Sequence, residues 1–71
     1  MTHAEDESLD LRQRRTRQSL VRALEELLAE RTFQSLSVTD ICQRAMVHRT
    51  TFYAHFNDKQ ELLRYLLLGV E

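Results

Sequence analysis

The chain has 71 residues, a single cysteine, one glycine, no proline and a formal net charge of −1. This length allows one small domain, near the lower limit for a core that is stable without cross-links, and a lone cysteine excludes an internal disulfide. The polar, acidic start of the chain is unlike a signal or transit peptide, and no apolar run is long enough to span a membrane. We therefore expect an all-α, cytoplasmic protein without membrane contacts.

The charge is unevenly distributed along the chain. Residues 1–9 are polar and acidic without apolar periodicity, which predicts a disordered acidic tail. From Arg12 to Arg64 the chain holds ten basic and six acidic residues, a surplus of four. Five arginines fall early in that stretch: Arg12, Arg14, Arg15, Arg17 and Arg22. Such an asymmetry is typical of a basic helix near phosphates, although a solvated polar helix face explains the arginines equally well.

A long first helix is predicted from about Leu11 to Glu30. Its apolar stripe consists of Leu20, Leu24, Leu27 and Leu28. Phe33 and Leu36 lie in the connector that follows, and we expect both side chains to fold back onto the core.

A second helix is predicted from about Val38 to Ala45, and a third from about Arg49 to His55. Ser37, followed three residues later by Asp40, is typical of a helix N-cap with an acidic partner. The second helix has one apolar face, formed by Val38, Ile41, Cys42 and Ala45. Two short helices joined by a turn of three or four residues form a helix-turn-helix motif, whose second helix enters the major groove of DNA.

A fourth helix is predicted to follow, with Asn57 or Asp58 as its N-cap and Gln60 or Glu61 as the reciprocal partner. Some of its apolar residues have no expected partner: Tyr65, Leu67, Leu68 and Val70. An exposed apolar patch indicates that another surface covers it. Either further chain covers this patch, or Glu71 is the natural end and the leucines form a dimer.

The string from Thr51 to Lys59, T-F-Y-A-H-F-N-D-K, resembles the DNA-binding domain of the TetR family of bacterial transcriptional repressors. Residues that match the family pattern are Ser37, Ile41, Ala45, Val47, Thr51, Phe52, Tyr53, His55, Phe56, Lys59 and Leu62. The resemblance implies a homeodomain-like, three-helix helix-turn-helix domain over residues 10–71 with the start of a fourth helix. It also implies binding to a double-stranded DNA operator. In the family, a C-terminal domain absent from these residues forms the homodimer and binds a small-molecule effector.

Met46 stands where the family has a turn glycine. A glycine there serves a left-handed backbone, which costs a non-glycine residue roughly 1 kcal/mol. We expect the left-handed turn to persist, because Ala45 and Val47 keep the family spacing on both sides. Cys42 and His48 replace the family's usual alanine and serine.

Arg49 is the strongest candidate for reading DNA sequence. It lies early in the third helix, and its planar guanidinium matches the N7 and O6 acceptors of guanine. His48 and Thr50 flank it and are expected to contact bases, although His48 can equally cap the helix. The resemblance assigns phosphate contacts to Thr51 and Tyr53.

Four further residues are candidates for contacts with the DNA backbone. Lys59, in the first turn of the fourth helix, opposes the helix dipole, and a phosphate bound at that N terminus would remove the conflict. Ser37 and Thr39 are placed for a similar contact at the second helix. His55 matches a family position near the DNA backbone, with a structural role at the helix end as the alternative.

Other functions lack the residues that they need. The three histidines and Cys42 have no metal-ligand spacing, and no glycine-rich phosphate loop is present, so we expect neither an enzyme nor a cofactor. The remaining alternative to DNA binding is a helical protein-interaction module that dimerises through the leucine-rich fourth helix. Such a module does not need Arg49, Tyr53 and Lys59 in combination.

Overall fold

The structure, a computed structural model, describes the backbone of residues 3–69 and the side chains of residues 11–69. Four α-helices cover most of this range: α1 (His3–Leu28), α2 (Val38–Ala45), α3 (Arg49–His55) and α4 (Lys59–Leu68). One turn of 3-10 helix, Phe33–Ser35, lies in the connector between α1 and α2. Residues 3–69 contain no strand, so the predicted all-α fold is confirmed. No helix among them is both long and apolar enough to cross a membrane.

The start of α1 differs from the sequence-based expectation. The sequence predicts a disordered tail over residues 1–9 and a helix from about Leu11, but α1 begins at His3. Residues 1 and 2 lie outside the described residues. Alanine, glutamate and leucine favour helix, and neither glycine nor proline interrupts residues 3–9, so helix extends through them at little cost. The helix ends at Leu28 rather than at about Glu30.

The core consists of apolar side chains from all four helices and from the connector. Its buried members are Leu20, Ala23, Leu24, Leu27, Leu36, Ile41, Cys42, Phe52, Phe56 and Leu62. These confirm most of the predicted apolar stripes, whereas Leu28 and Phe33 are only half-buried against the core. No polar or charged side chain among the described residues is buried. Removal of apolar surface from water is therefore what holds the helices together.

Side-chain caps fix where α2 and α4 begin. Ser37 Oγ accepts a hydrogen bond from the Asp40 backbone N–H at 3.0 Å, and Asp40 Oδ2 accepts one from the Ser37 N–H at 3.0 Å. These contacts form a capping box and lower the pKa of the Asp40 carboxyl. Asp58 caps α4 by accepting from the Glu61 N–H at 2.8 Å, and Glu61 accepts from the Asn57 N–H at 2.8 Å. Both predicted N-caps are confirmed, with Asp58 as the cap of α4.

A Schellman motif ends α2 and sets the direction in which the chain enters α3. The Val47 N–H donates to the Cys42 carbonyl at 3.0 Å, and the Met46 N–H donates to the Gln43 carbonyl at 3.2 Å. Met46 has φ 59° and ψ 46°, and it is the only described non-glycine residue with positive φ. The predicted left-handed turn is therefore confirmed. The Met46 side chain is 91% exposed, so packing does not offset the backbone strain.

α4 packs against the rest of the domain through its first two turns. Tyr65, for which the sequence predicts no partner, contacts Phe56 edge-on with the ring centres 5.5 Å apart. That contact corrects the prediction, since the ring of Phe56, the C-cap residue of α3, covers the ring of Tyr65 on α4. Leu67 and Leu68 are 70% and 66% exposed, as expected. Val70 lies outside the described residues.

Candidate nucleic-acid interface

A shallow groove of about 630 Å³ lies where the start of α3 meets α2. Its lining residues are Thr39, Cys42, Gln43, Met46, Val47, His48, Arg49 and Thr50. The structure therefore brings four of the sequence-predicted site residues onto one surface, two of them from α3. His48 occupies the N-cap position of α3 without a capping hydrogen bond from its side chain. The imidazole is exposed and remains available to a ligand in the groove.

α3 has two chemically different faces. Phe52 is fully buried and Phe56 is 5% exposed, so both rings hold the helix on the core. Arg49 and Tyr53 lie four residues apart, on one side of the helix, and both are exposed. The Tyr53 ring packs edge-on against Phe52 with the ring centres 5.2 Å apart, yet 48% of the residue stays accessible. One face thus anchors α3 while the other presents a cation and a phenol to solvent.

Cys42 forms the floor of the groove and does not add chemical reactivity to it. Its side chain is 3% exposed, and burial raises the pKa of its thiol against the opposing effect of the Arg49 charge. A thiol with a raised pKa stays protonated and is a poor nucleophile. The described residues also contain no group of three His, Cys, Asp or Glu side chains that could hold a metal ion.

Ser37 and Thr39 lie at the start of α2, where Thr39 lines the groove and Ser37 is the N-cap of the helix. Both are exposed. The Ser37 oxygen is an acceptor in the capping box, but a hydroxyl that accepts can still donate its own hydrogen. The N terminus of a helix carries partial positive charge and attracts anions. This end of α2 therefore has donors and a field suited to a phosphate.

Thr51 and His55, like Lys59, are less accessible than the other predicted site residues. Both are half-buried. His55 lies at the C-terminal end of α3, away from the groove residues, and its ring centre is 6.3 Å from that of Phe56. Burial lowers the pKa of His55, and the positive charge of Arg17 in α1 lowers it further. His55 therefore lies near α1 and outside the groove.

Lys59 makes contacts that the sequence did not predict. Its Nζ donates to the carbonyl oxygens of Phe33 at 2.9 Å and Leu36 at 2.6 Å. The same nitrogen lies 4.5 Å from the centre of the Phe33 ring. The connector between α1 and α2 thus provides the partial negative charge that the sequence predicts for a phosphate at this helix end.

Gln43 lines the groove although it was not among the predicted site residues. It is exposed and lies four residues after Thr39 on the same face of α2, so this spacing was the signal that could have identified it. Its side-chain amide both donates and accepts hydrogen bonds, which suits the N6 and N7 positions of adenine.

Comparison with known proteins identifies the family of this chain. The family described as bacterial regulatory proteins, tetR family, matches residues 20–66, a range that includes both helices of the helix-turn-helix motif. The uncharacterized HTH-type transcriptional regulator YxbF of Bacillus subtilis (strain 168) is 33% identical over 63 residues. That match covers 87% of this chain but 17% of the relative, so the chain spans less than a fifth of the relative's length. No solved structure matches the chain. With the family match extending over most of the helical core and both helices of the motif, the chain belongs to the TetR family of bacterial regulatory proteins.

Proposed function

We propose that this chain is the DNA-binding head of a bacterial transcriptional repressor and that it recognises a specific double-stranded operator. The observation that carries the proposal is the division of α3 into a buried face and an exposed face. Phe52 fixes the helix on the core, and Arg49 is exposed at the start of the helix beside α2. A helix held in this way presents its N-terminal side chains to the base edges of the major groove.

We assign the recognition of the DNA bases to the residues that line the groove. Arg49 donates two hydrogen bonds to a guanine, the commonest specific contact in the major groove. His48, Thr50 and Gln43 surround it and contact neighbouring bases. Gln43, Arg49 and Thr50 project from helices and His48 from the N-cap of α3, so the fold sets their relative positions without DNA.

Phosphate contacts fix the position of the head on the duplex. Ser37 and Thr39 donate to one phosphate at the N terminus of α2, where the helix field favours an anion. Thr51 and Tyr53 hold a second phosphate through their hydroxyl groups, as the family resemblance implies. His55 is half-buried near α1 and contributes to this surface chiefly by supporting α3.

Substitution of Arg49 tests the proposal directly. Arg49→Ala should weaken binding to the preferred duplex by about 1–3 kcal/mol, because a bidentate base contact is lost, and should change binding to random duplexes little. The preferred site is first selected from a randomised duplex pool, and affinity is then measured by fluorescence anisotropy.

Arg64→Ala is the matched control for Arg49→Ala. Arg64 is also an exposed arginine, but it lies on α4. Its removal should leave the base preference unchanged. Equal losses on selected and random duplexes for Arg49→Ala would contradict the assigned role.

The exposed end of α4 favours a second role for this chain. Leu67 and Leu68 present apolar side chains to solvent, and such a patch is covered in an assembled protein. We propose that this end of α4 packs on a C-terminal domain that forms the homodimer and binds a small-molecule effector. The rival is a protein-interaction module without DNA binding. Loss of self-association in Leu68→Glu, together with no duplex binding by the unaltered chain, would favour the rival.

A further inference from the structure

Two charged side chains, Lys59 and Arg31, donate hydrogen bonds to the backbone of the connector between α1 and α2. Lys59, from the start of α4, donates to the carbonyls of Phe33 and Leu36. Arg31, just after α1, donates to the carbonyl of Ser35 at 2.6 Å and lies 3.5 Å from the Asp40 carboxylate. Three carbonyl oxygens in four consecutive residues thus accept hydrogen bonds from charged side chains. We call the Lys59 contacts with Phe33 and Leu36 the connector clamp.

The connector clamp is partly buried, unlike an ion contact at the protein surface. Lys59 and Phe33 are half-buried, the ammonium nitrogen is 4.5 Å from the Phe33 ring centre, and Leu36 is 3% exposed. Hydrogen bonds from a charged donor are shorter and stronger than neutral ones, and a cation over an aromatic face adds to them. The clamp joins Lys59 to Phe33, 26 residues earlier in the sequence, and to Leu36, 23 residues earlier.

The connector clamp lies directly before the part of the candidate interface that the start of α2 forms. Leu36 immediately precedes Ser37, the N-cap of α2. The Ser37 and Thr39 hydroxyls and the first N–H groups of α2 therefore take their positions from a segment whose carbonyls Lys59 holds. If the connector moved, these phosphate donors would move with it.

We propose that Lys59 is a positioning residue for DNA binding, and that its ammonium group holds the connector instead of binding a phosphate. The proposal rests on the proposed function and assigns this lysine a part within it. The carbonyl oxygens of the clamp also remove the conflict between a lysine and the positive N-terminal end of α4. DNA affinity then depends on Lys59 through the placement of the α2 N terminus.

A variant without the charge tests the proposal. Lys59→Met keeps most of the side-chain stem, and Arg64→Met removes an exposed charge elsewhere on α4 as the control. In the absence of DNA, Lys59→Met should change the carbonyl ¹³C shifts of Phe33 and Leu36 and speed amide exchange in the first turn of α2. It should also lower Tm by several degrees. Arg64→Met should leave these three measurements near those of the unaltered chain.

Salt dependence separates positioning from phosphate binding. Lys59→Met should bind duplex DNA more weakly at every salt concentration, with the slope of log affinity against log salt unchanged. Loss of a phosphate contact would instead make that slope shallower by about 0.9. A shallower slope with unmoved Phe33 and Leu36 carbonyl shifts would overturn the proposal. The proposal would also be overturned if Lys59→Met changed the Phe33 and Leu36 carbonyl shifts but kept its affinity for duplex DNA.

The unaltered chain gives an independent measurement in case Lys59→Met does not fold. The connector clamp should protect the Lys59 ammonium protons, so that their ¹⁵N-correlated signal is visible and keeps its position when duplex DNA is added. A large shift of that signal on DNA addition would show a phosphate ligand and overturn the proposal. If the unaltered chain binds no duplex, the proposed function fails, whereas the ammonium and carbonyl signals still report whether the clamp exists.

Discussion

At the scale of single residues, Met46 combines a strained backbone with a side chain that contributes no packing. Its left-handed φ of 59° is unfavourable for a residue with a Cβ, and 91% of the residue is exposed. Met46→Gly should therefore raise the free energy of unfolding by up to about 1 kcal/mol, reduced in part by the greater unfolded-state entropy of glycine. Urea denaturation of the two proteins measures this difference.

The control for that change is Met46→Ala. Alanine keeps the Cβ atom and removes only an exposed side chain, so the unfolding free energy should stay within about 0.5 kcal/mol of the original. A loss of stability in both variants would mean that the Met46 side chain packs in solution, whereas a loss in the glycine variant alone would mean that the unfolded-state entropy of glycine outweighs the relief of backbone strain.

His55 makes stability depend on pH. Burial, followed by the charge of Arg17, lowers the pKa of His55 in the folded chain below the ordinary 6.5. The unfolded chain then binds the proton more readily, so the contribution of His55 to stability is present above pH 6.5 and is lost as pH falls through the lowered folded pKa. His55→Gln should flatten the decline in Tm between about pH 7 and pH 5.

His48→Gln is the matched control for this pH effect. His48 is exposed at the N-cap of α3, and its substitution should leave the dependence of Tm on pH in place. An unaltered pH dependence in His55→Gln would show that another group is responsible for it.

At the scale of helices, the capping box gives Ser37 two separable tasks. Its oxygen stabilises the start of α2, and its hydroxyl is assigned to a phosphate. Ser37→Ala should lower the unfolding free energy by about 1 kcal/mol, the usual cost of removing an N-cap, and should weaken DNA binding. Thermal denaturation and anisotropy measurements report the two effects separately.

Ser37→Asp separates these tasks. Aspartate is as good an N-cap as serine, so stability should be retained, whereas its negative charge repels the phosphate and DNA affinity should fall. Wild-type affinity in Ser37→Asp would show that no phosphate lies at this end of α2.

The helices also show what local sequence could and could not predict. The bounds of α2 and α3 were predicted correctly, because the Ser37 and Asp40 pair and the apolar spacing act within a few residues. The start of α1 was predicted at about Leu11 rather than at His3, because residues 1–9 are polar and lack apolar periodicity, which helix propensity does not require. The partners of Lys59 could not be predicted, because its acceptors are main-chain carbonyls brought near only by the packing of α4 against the connector. The contact between Tyr65 and Phe56 also depends on how α4 packs, which local sequence does not determine.

At the scale of the whole molecule, the charge distribution predicts weak and salt-sensitive DNA binding. Exposed arginines on α1, among them Arg12, Arg15 and Arg22, can neutralise about three phosphates, which predicts a slope of roughly −3 for log affinity against log salt. A single head also lacks the effective-concentration advantage of two linked heads. We expect micromolar or weaker dissociation constants near physiological salt, measured by anisotropy across a salt series. Association that does not change with salt would contradict this electrostatic account.

The separation of the two faces of α3 has a consequence for how operator preference can diverge among related proteins. The residues that stabilise α3, Phe52 and Phe56, point into the core, while the groove side of the helix contributes little to folding. Exchanges at His48, Arg49 or Thr50 therefore encounter only a small stability cost. A lineage can change its target sequence by one or two such exchanges without first acquiring a compensating mutation, and a library randomised at these three positions should remain mostly folded.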